Sequence, residues 1–138
     1  MKLPFVITGK NPSKKLQQLA HNHQHTCLVA NPTDKEIQDM ISKAHVHVLP
    51  SFNNTGVKLK LLNALFNGRH CLVNKAGVEG SGLETFCHLA EDAETFRRQI
   101  EDLYTKAFTE QEVQQRQGLL QTMYNNERNA KELMTFLW

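Results

Sequence analysis

The sequence predicts an α/β fold, in which a Rossmann-like parallel sheet carries flanking helices and ends in a helical C-terminal tail. Short apolar runs alternate with amphipathic stretches from Leu3 to Tyr104. Such alternation is typical of right-handed βαβ units, which assemble into parallel sheets. From Thr109 onward the pattern is helical throughout and rich in Gln and Asn. The length of 138 residues suits one domain, which we expect to span residues 1–138.

Five short apolar runs predict the strands of this sheet. They are Leu3–Thr8, Thr26–Ala30, Val46–Leu49, Cys71–Val73 and Phe86–Ala90. Runs of this length, separated by helical patterns, indicate buried strands.

Local signals predict where the helices begin. They are Asn11-Pro12, the capping boxes Thr33/Glu36 and Thr109/Glu112, the helix-like segment Gly56–Gly68, and Asp92. The helix after Asp92 is predicted to turn Phe96, Ile100, Leu103 and Tyr104 inward. A last helix is expected from Asn126 to Leu137.

Charge and cysteine content exclude several classes of protein. The net charge of +2 is too small to indicate nucleic acid as the main partner. No apolar stretch approaches the roughly 20 residues of a transmembrane segment, and the N-terminus lacks the features of a secretory signal. The three cysteines, Cys27, Cys71 and Cys87, are widely spaced and predict buried free thiols in a reducing compartment. We therefore expect a cytoplasmic protein.

Ligands in parallel α/β folds bind where the strands end and the chain enters the helices. Four segments follow predicted strands there. They are Gly9–Pro12, Asn31–Pro32, Ser51–Gly56 and the glycine loop Ala76–Gly82. Gly77, Gly80 and Gly82 allow positive φ and a close approach of the backbone to a ligand, so we interpret the glycine loop as ligand-facing. A purely structural turn is the alternative.

Two lysines, Lys58 and Lys60, fall in the predicted first turn of the helix that follows Gly56. A helix N-terminus carries about half a positive charge, so a lysine there costs about 0.3–1 kcal/mol. A bound anion would reverse that cost, because the free N–H groups and the ammonium groups would converge on one phosphate. The alternative is that both lysines point into water.

The histidines do not predict a metal site. His21, His23 and His25 lie at a predicted helix end without carboxylates in register, and we interpret them as solvated. His45 and His47 alternate with valines along one run and would share one face of a strand. We favour buried histidines whose hydrogen bonds are satisfied beneath a covering helix, and a ligand-facing role is the alternative. GxSxG, HExxH, Walker A and GxGxxG motifs are absent, so neither a metal nor a nicotinamide cofactor is expected.

Three separated segments resemble the donor-binding domain of GT-B retaining glycosyltransferases, that is, the group 1 or family 4-like glycosyl transferases. Gly56–Gly68 reads Gly-Val-Lys-x-Lys-x-x-Asn-Ala-Leu-x-x-Gly and is similar to the family's donor-binding helix. The preceding Ala44–Ser51 and the later Ala76–Glu84 also resemble segments of that domain. The order of elements agrees over roughly residues 5–105.

The resemblance implies transfer of a sugar from a nucleotide-sugar donor to an acceptor hydroxyl without a metal. The departing diphosphate would be stabilised at the helix N-terminus. The base would lie against the Asn31-Pro32 loop. The substrate-binding residues that it implies are Asn31, Thr55, Gly56, Val57, Lys58, Lys60, Asn63 and Gly80.

Two departures from the family pattern qualify this expectation. Asn63 stands where the family's helix carries a glutamate that bonds ribose hydroxyls, and an amide makes weaker bonds there than a carboxylate. The family's N-terminal acceptor-binding domain is missing from the chain. We therefore expect a fragment of a two-domain GT-B enzyme that is inactive alone, with catalytic residues that the sequence does not identify.

The alternative is a non-catalytic βαβ nucleotide-binding or scaffold module. A receiver domain is disfavoured, because Gly9-Lys10 and Pro50-Ser51 stand where its acidic residues would be.

Overall fold

The structure, a computed structural model, describes residues 2–53 and 58–137. The chain divides into two compact units, Met1–Lys43 and Ala44–Trp138. Within the described residues, no helix is long and apolar enough to cross a membrane.

The first unit is a single βαβ motif followed by a helix. Its elements are β1 (Phe5–Gly9), α1 (Lys14–Asn22), β2 (Thr26–Ala30) and α2 (Asp34–Lys43). β1 and β2 are parallel and pair from Phe5↔Thr26 to Gly9↔Ala30. Glu36 donates its backbone N–H to the Thr33 hydroxyl oxygen over 3.2 Å, so α2 begins at the predicted cap.

The start of α1 differs from the prediction. Ser13, not Asn11, is the N-cap, and its hydroxyl oxygen accepts the N–H of Leu16. Asn11 has a φ of 47°, which is a left-handed conformation. It therefore turns the chain out of β1 before the helix begins, and Pro12 precedes the cap.

The second unit contains the remaining elements. They are β3 (Val46–Val48), α3 (Leu59–Asn67), β4 (His70–Val73), α4 (Lys75–Val78), a 3₁₀ turn (Glu84–Phe86), β5 (His88–Leu89), α5 (Ala93–Tyr104), α6 (Glu110–Met123) and α7 (Asn126–Leu137). The strand order is β3-β4-β5 and all pairs are parallel. β4 is buried at every position, as expected for the central strand of a parallel sheet.

The core of the second unit lies on both faces of β4. Cys71 and Val73 join one cluster with Leu61 and Leu65 of α3, whereas Leu72 joins another with Leu103 of α5. Successive side chains of a strand point to opposite faces, so one fully buried strand serves both clusters.

Arg116 fastens α6 to the C-terminal end of α3. Its side chain is buried, with 6% exposed, and lies 4.8 Å from the centre of the Phe108 ring. Its guanidinium donates hydrogen bonds to the carbonyl oxygens of Leu65 (2.6 Å), Arg69 (2.8 Å) and Gly68. These carbonyls lie at or just beyond the helix end, where intrahelical partners run out and a cation is favoured. One side chain thus caps the helix that carries Lys58 and Lys60.

The predicted class is confirmed: parallel strands form small sheets with flanking helices and a helical C-terminal tail. Besides the start of α1, other local predictions are wrong. The glycine loop begins as α4, in which Gly77 is buried. Tyr104 is half exposed, because it lies at the end of α5, beyond the buried stripe. Cys27 is exposed, and only Cys71 is fully buried.

Candidate functional site

The loop that leaves β3 is fixed to the end of β4 by one asparagine. Ser51 donates its backbone N–H to Asn74 Oδ1 over 2.9 Å, and Asn74 Nδ2 donates to the Ser51 carbonyl over 2.7 Å. The side-chain amide of Asn74 therefore both accepts from and donates to the Ser51 backbone, and so joins two neighbouring strand ends. These bonds fix the position of the loop at which the candidate site begins.

A cleft of about 450 Å³ opens at this carboxyl edge of the sheet. It is lined by Phe52, Asn53, Lys75, Ala76, Glu79 and Glu91. Glu91 accepts the backbone N–H of Lys75 at 2.6 Å, which holds its carboxylate at the start of α4. Phe52 is 99% exposed. An aromatic face, a lysine and two carboxylates suit a ligand with an apolar ring, an anionic group and hydroxyls.

The two lysines lie at the N-terminus of α3, as predicted. Lys58 is the N-cap residue and Lys60 is an exposed residue of the first turn, which has no acidic side chain. Lys58 Nζ donates a hydrogen bond to Asn53 Oδ1, which connects this end of α3 to the cleft lining. The first N–H groups of a helix have no intrahelical acceptor, so this end can bind an anion.

Asn63 lies in the middle of α3 and is half-buried. Its Oδ1 accepts a hydrogen bond from Asn67 Nδ2 at 2.9 Å. Five residues separate Asn63 from Lys58, which is about 7.5 Å along a helix axis. Asn63 is therefore more than one turn along α3 from its N-terminus.

Gly80 follows α4 with a φ of 76°, and Gly82 has a φ of 73°. The predicted positive φ is thus present at two of the three glycines. Space is open where a Cβ of Gly80 would stand, and Glu79 lines the cleft beside it. Thr55, Gly56 and Val57, also predicted as substrate-binding, lie outside the described residues.

The first 106 residues carry the decisive comparison. Residues 2–106 match the family model described as glycosyl transferases group 1. The chain belongs to the group 1 glycosyltransferases. Neither the curated proteins nor the solved structures contain a match to it. The predicted resemblance is confirmed at the level of the family, and the match covers β1 through α5.

Asn31 of this glycosyltransferase domain performs a structural role in the first unit. It has a φ of 50°, and its Oδ1 accepts the backbone N–H of Asn11 at 2.9 Å. Its own N–H donates to the Gly9 carbonyl at 2.8 Å. The Asn31 side chain therefore ties together the loops that leave β1 and β2. Its contact with a nucleotide base stays a prediction.

Two of the thiols of the glycosyltransferase domain are not poised as nucleophiles. Burial raises the pKa of Cys71 to about 12 and that of Cys87 to about 11, so both are protonated at neutral pH. His21, His23 and His25 are exposed, as predicted. Among residues 2–53 and 58–137, no group of three His, Cys, Asp or Glu side chains could hold a metal ion.

Asn74, Lys75 and Glu91 were not among the predicted site residues. Their positions did contain a signal, since Asn74 directly follows the β4 run and Glu91 follows β5 by one residue. Residues that directly follow parallel strands meet at the ligand-binding edge. The same rule that selected Ser51–Gly56 would therefore have selected them.

Proposed function

We propose that this chain is the donor-binding domain of a glycosyltransferase that moves a sugar from a nucleotide-sugar to an acceptor hydroxyl. The family match supports this proposal, because it covers α3, the helix whose N-terminus carries Lys58 and Lys60. Family membership supports glycosyl transfer in general, and the lysines favour a nucleoside diphosphate as the part that is bound.

The role proposed for the N-terminus of α3 is to stabilise the leaving diphosphate. Negative charge grows on the bridging oxygen as the glycosidic bond breaks. Lys60 and the first N–H groups of α3 would face that charge from a helix whose other end is anchored by Arg116, and Lys58 would join them on leaving Asn53. A diphosphate would compete with Asn53 for the ammonium group of Lys58.

The cleft is proposed to hold the hydroxyl-rich part of the donor. The Glu79 and Glu91 carboxylates accept hydrogen bonds from hydroxyls more strongly than an amide does. The exposed ring of Phe52 offers an apolar face beside them. On this assignment, carboxylates of the cleft take over part of what the family's helix glutamate does, and Asn63 contributes a neutral contact.

The proposal assigns the acceptor site and the general base to a domain outside these 138 residues. The chain alone is therefore expected to bind a donor without transferring its sugar. Sugar transfer or donor hydrolysis by the purified chain, well above the uncatalysed rate, would contradict this assignment.

Calorimetric titration with a nucleoside diphosphate tests the proposed site. Lys60→Ala is expected to weaken binding by about 1–2 kcal/mol, because a charge-assisted hydrogen bond is lost. Lys131→Ala is the matched control, since Lys131 is an exposed helix lysine of the same unit and pairs with Glu127. An equal loss in both variants would show general charge attraction and contradict the site.

One observation favours a second candidate, a non-catalytic nucleotide-binding or scaffold module. The Asn63 amide oxygen accepts a hydrogen bond from Asn67 within α3. A scaffold would show no nucleotide binding, or binding that is indifferent to Lys60, and the same calorimetric series separates it from the donor-binding domain. A non-catalytic nucleotide-binding module would bind as the donor-binding domain does, and only an assay of sugar transfer together with the proposed partner domain would separate the two.

A further inference from the structure

The loop that follows α4, residues 79–83 (the Ser81 loop), is tied to the C-terminal end of α6 by one hydrogen bond. Tyr124, the residue that follows α6, donates its hydroxyl to the Ser81 carbonyl oxygen over 3.0 Å. The two residues are 43 positions apart, and Tyr124 lies beyond the segment that matches the family model. A loop inside the family segment is thus held by a residue outside it.

Two glycines make the backbone of the Ser81 loop costly to order. Gly80 and Gly82 have φ values of 76° and 73° on either side of Ser81, and both are exposed. Glycine loses more conformational freedom on folding than any other residue. A hydrogen bond from a packed side chain to the residue between them offsets part of that cost.

Short-range hydrogen bonds close the loop on itself. Ser81 donates its backbone N–H to the Val78 carbonyl oxygen at 3.0 Å and its hydroxyl to the same oxygen at 2.5 Å. Ser81 Oγ in turn accepts the backbone N–H of Leu83 at 3.1 Å. The buried Leu83 side chain anchors the end of the loop in the core, and the Tyr124 hydroxyl reaches its middle.

Tyr124 is itself held in place, which lets it act as a fixed support. Its ring packs against the core cluster that contains Leu120, and its backbone N–H donates to the Leu120 carbonyl at 2.9 Å. Burial raises the pKa of its hydroxyl above the ordinary value of 10, and the Glu84 carboxylate adds to that rise, so the hydroxyl donates at neutral pH. The neighbouring Met123 also lies against the loop, since its Cε is 3.4 Å from where a Cβ of Gly82 would stand.

We propose that Tyr124 is a positioning residue of the donor site, because through Ser81 it sets the loop whose first residue, Glu79, lines the cleft. The inference rests on the proposed function, in which Glu79 accepts hydrogen bonds from donor hydroxyls. Only Gly80 separates Glu79 from Ser81, so a shift of the Ser81 backbone moves the chain directly beside Glu79. Tyr124 therefore acts on the hydroxyl-rich part of the donor and not on the diphosphate, which is assigned to α3.

Tyr124→Phe tests this support in the ligand-free chain, because it removes one hydroxyl and keeps the packed ring. We expect hydrogen exchange of the Ser81 and Leu83 amides to become about threefold to tenfold faster, as for one lost hydrogen bond. Tyr104→Phe is the matched control, since Tyr104 is the chain's other tyrosine, is half exposed and ends α5, and it should leave both amides unchanged. Unchanged exchange in Tyr124→Phe, or an equal change in both variants, would overturn the role of Tyr124.

Calorimetry separates a positioning role from a merely structural one. The unaltered chain and both variants are titrated with UDP, GDP and ADP, and then with UDP-glucose, GDP-mannose or ADP-glucose, according to which diphosphate binds most tightly. We expect Tyr124→Phe to bind the nucleotide-sugar about threefold to tenfold more weakly, while its affinity for the diphosphate changes by less than about twofold. A general loss of structure would lower both affinities together. That result, or two unchanged affinities, would overturn the proposal.

A measurement on the unaltered chain keeps the test decisive if Tyr124→Phe folds poorly. The nucleotide-sugar should shift the amides of residues 79–83 in NMR beyond the shifts that the diphosphate alone produces, and identical shifts would overturn the inference. Weakened diphosphate binding in Lys60→Ala together with an unaffected nucleotide-sugar affinity in Tyr124→Phe would overturn the positioning role and leave the proposed function standing. An unaltered chain that binds neither class of ligand would contradict both.

Discussion

At the scale of single residues, the proposed contact of Asn63 with a donor ribose can be tested by substitution. Replacing it with glutamate supplies a carboxylate at the middle of α3, on a half-buried position. We expect Asn63→Glu to tighten nucleoside diphosphate binding by about 1 kcal/mol, because a carboxylate accepts stronger hydrogen bonds from two hydroxyls. The dissociation constant measured by calorimetry checks this.

Asn67→Glu is the control for Asn63→Glu, because it places the same charge one turn further from the proposed phosphate site. It should leave the affinity nearly unchanged. Weaker binding in Asn63→Glu would mean that the new charge lies against the diphosphate. The alignment of α3 with the family's donor-binding helix would then be wrong in register.

Single residues also show where sequence reasoning succeeds. The Thr109/Glu112 capping box is present with both of its hydrogen bonds, because those bonds form between residues three apart. Asp92 likewise caps α5. The start of α1 was misplaced because the left-handed turn at Asn11 depends on its contact with Asn31, twenty residues away.

At the scale of elements, the stability of α3 depends on Arg116. Arg116→Met removes the donors to the Leu65 and Arg69 carbonyls, which lie at the buried end of the helix. Buried unsatisfied groups cost about 1–3 kcal/mol each, so we expect the free energy of unfolding to fall by about 2–4 kcal/mol. Arg116→Lys should lose less, because it keeps the charge but cannot reach all the carbonyls. Urea denaturation measures both.

The control for this series is Arg97→Met. Arg97 is exposed on α5 and its pairing with Glu101 is solvent-screened, so its loss should change the free energy of unfolding by less than about 0.5 kcal/mol. Similar losses of unfolding free energy in Arg97→Met and Arg116→Met would show that the hydrogen bonds of Arg116 to the end of α3 do not stabilise the fold specifically.

Contacts between elements explain what the sequence could not predict. The periodicities located α3, α5 and α6, and the apolar run located β4. The hydrogen bonds of Arg116 join residues about fifty positions apart, and those of His70 join β4 to β5 and to Lys106, which follows α5. Neither has a local signature, because distant side chains are brought together only by the packed fold.

At the scale of the whole molecule, two groups of polar side chains lie at opposite edges of the sheet in the second unit. The cleft and the lysines of α3 lie at the carboxyl edge of β3-β4-β5, and the contact between His70 and His88 lies at the amino edge. The edge that carries the cleft was predictable, because topology alone determines where clefts open in parallel sheets. The residues of its lining follow the same strands, but the bond from the Lys75 amide to the Glu91 carboxylate joins residues sixteen positions apart and has no local signature.

The central claim is that a nucleoside diphosphate binds at the N-terminus of α3, and NMR of the nitrogen-labelled chain tests it most directly. During titration to millimolar ligand, we expect the largest amide shifts at residues 55–60, with smaller shifts at Asn53 and Lys75 of the cleft lining. Amides of α7 serve as the internal reference. Shifts confined to other parts of the chain, with residues 55–60 unmoved, would contradict the account.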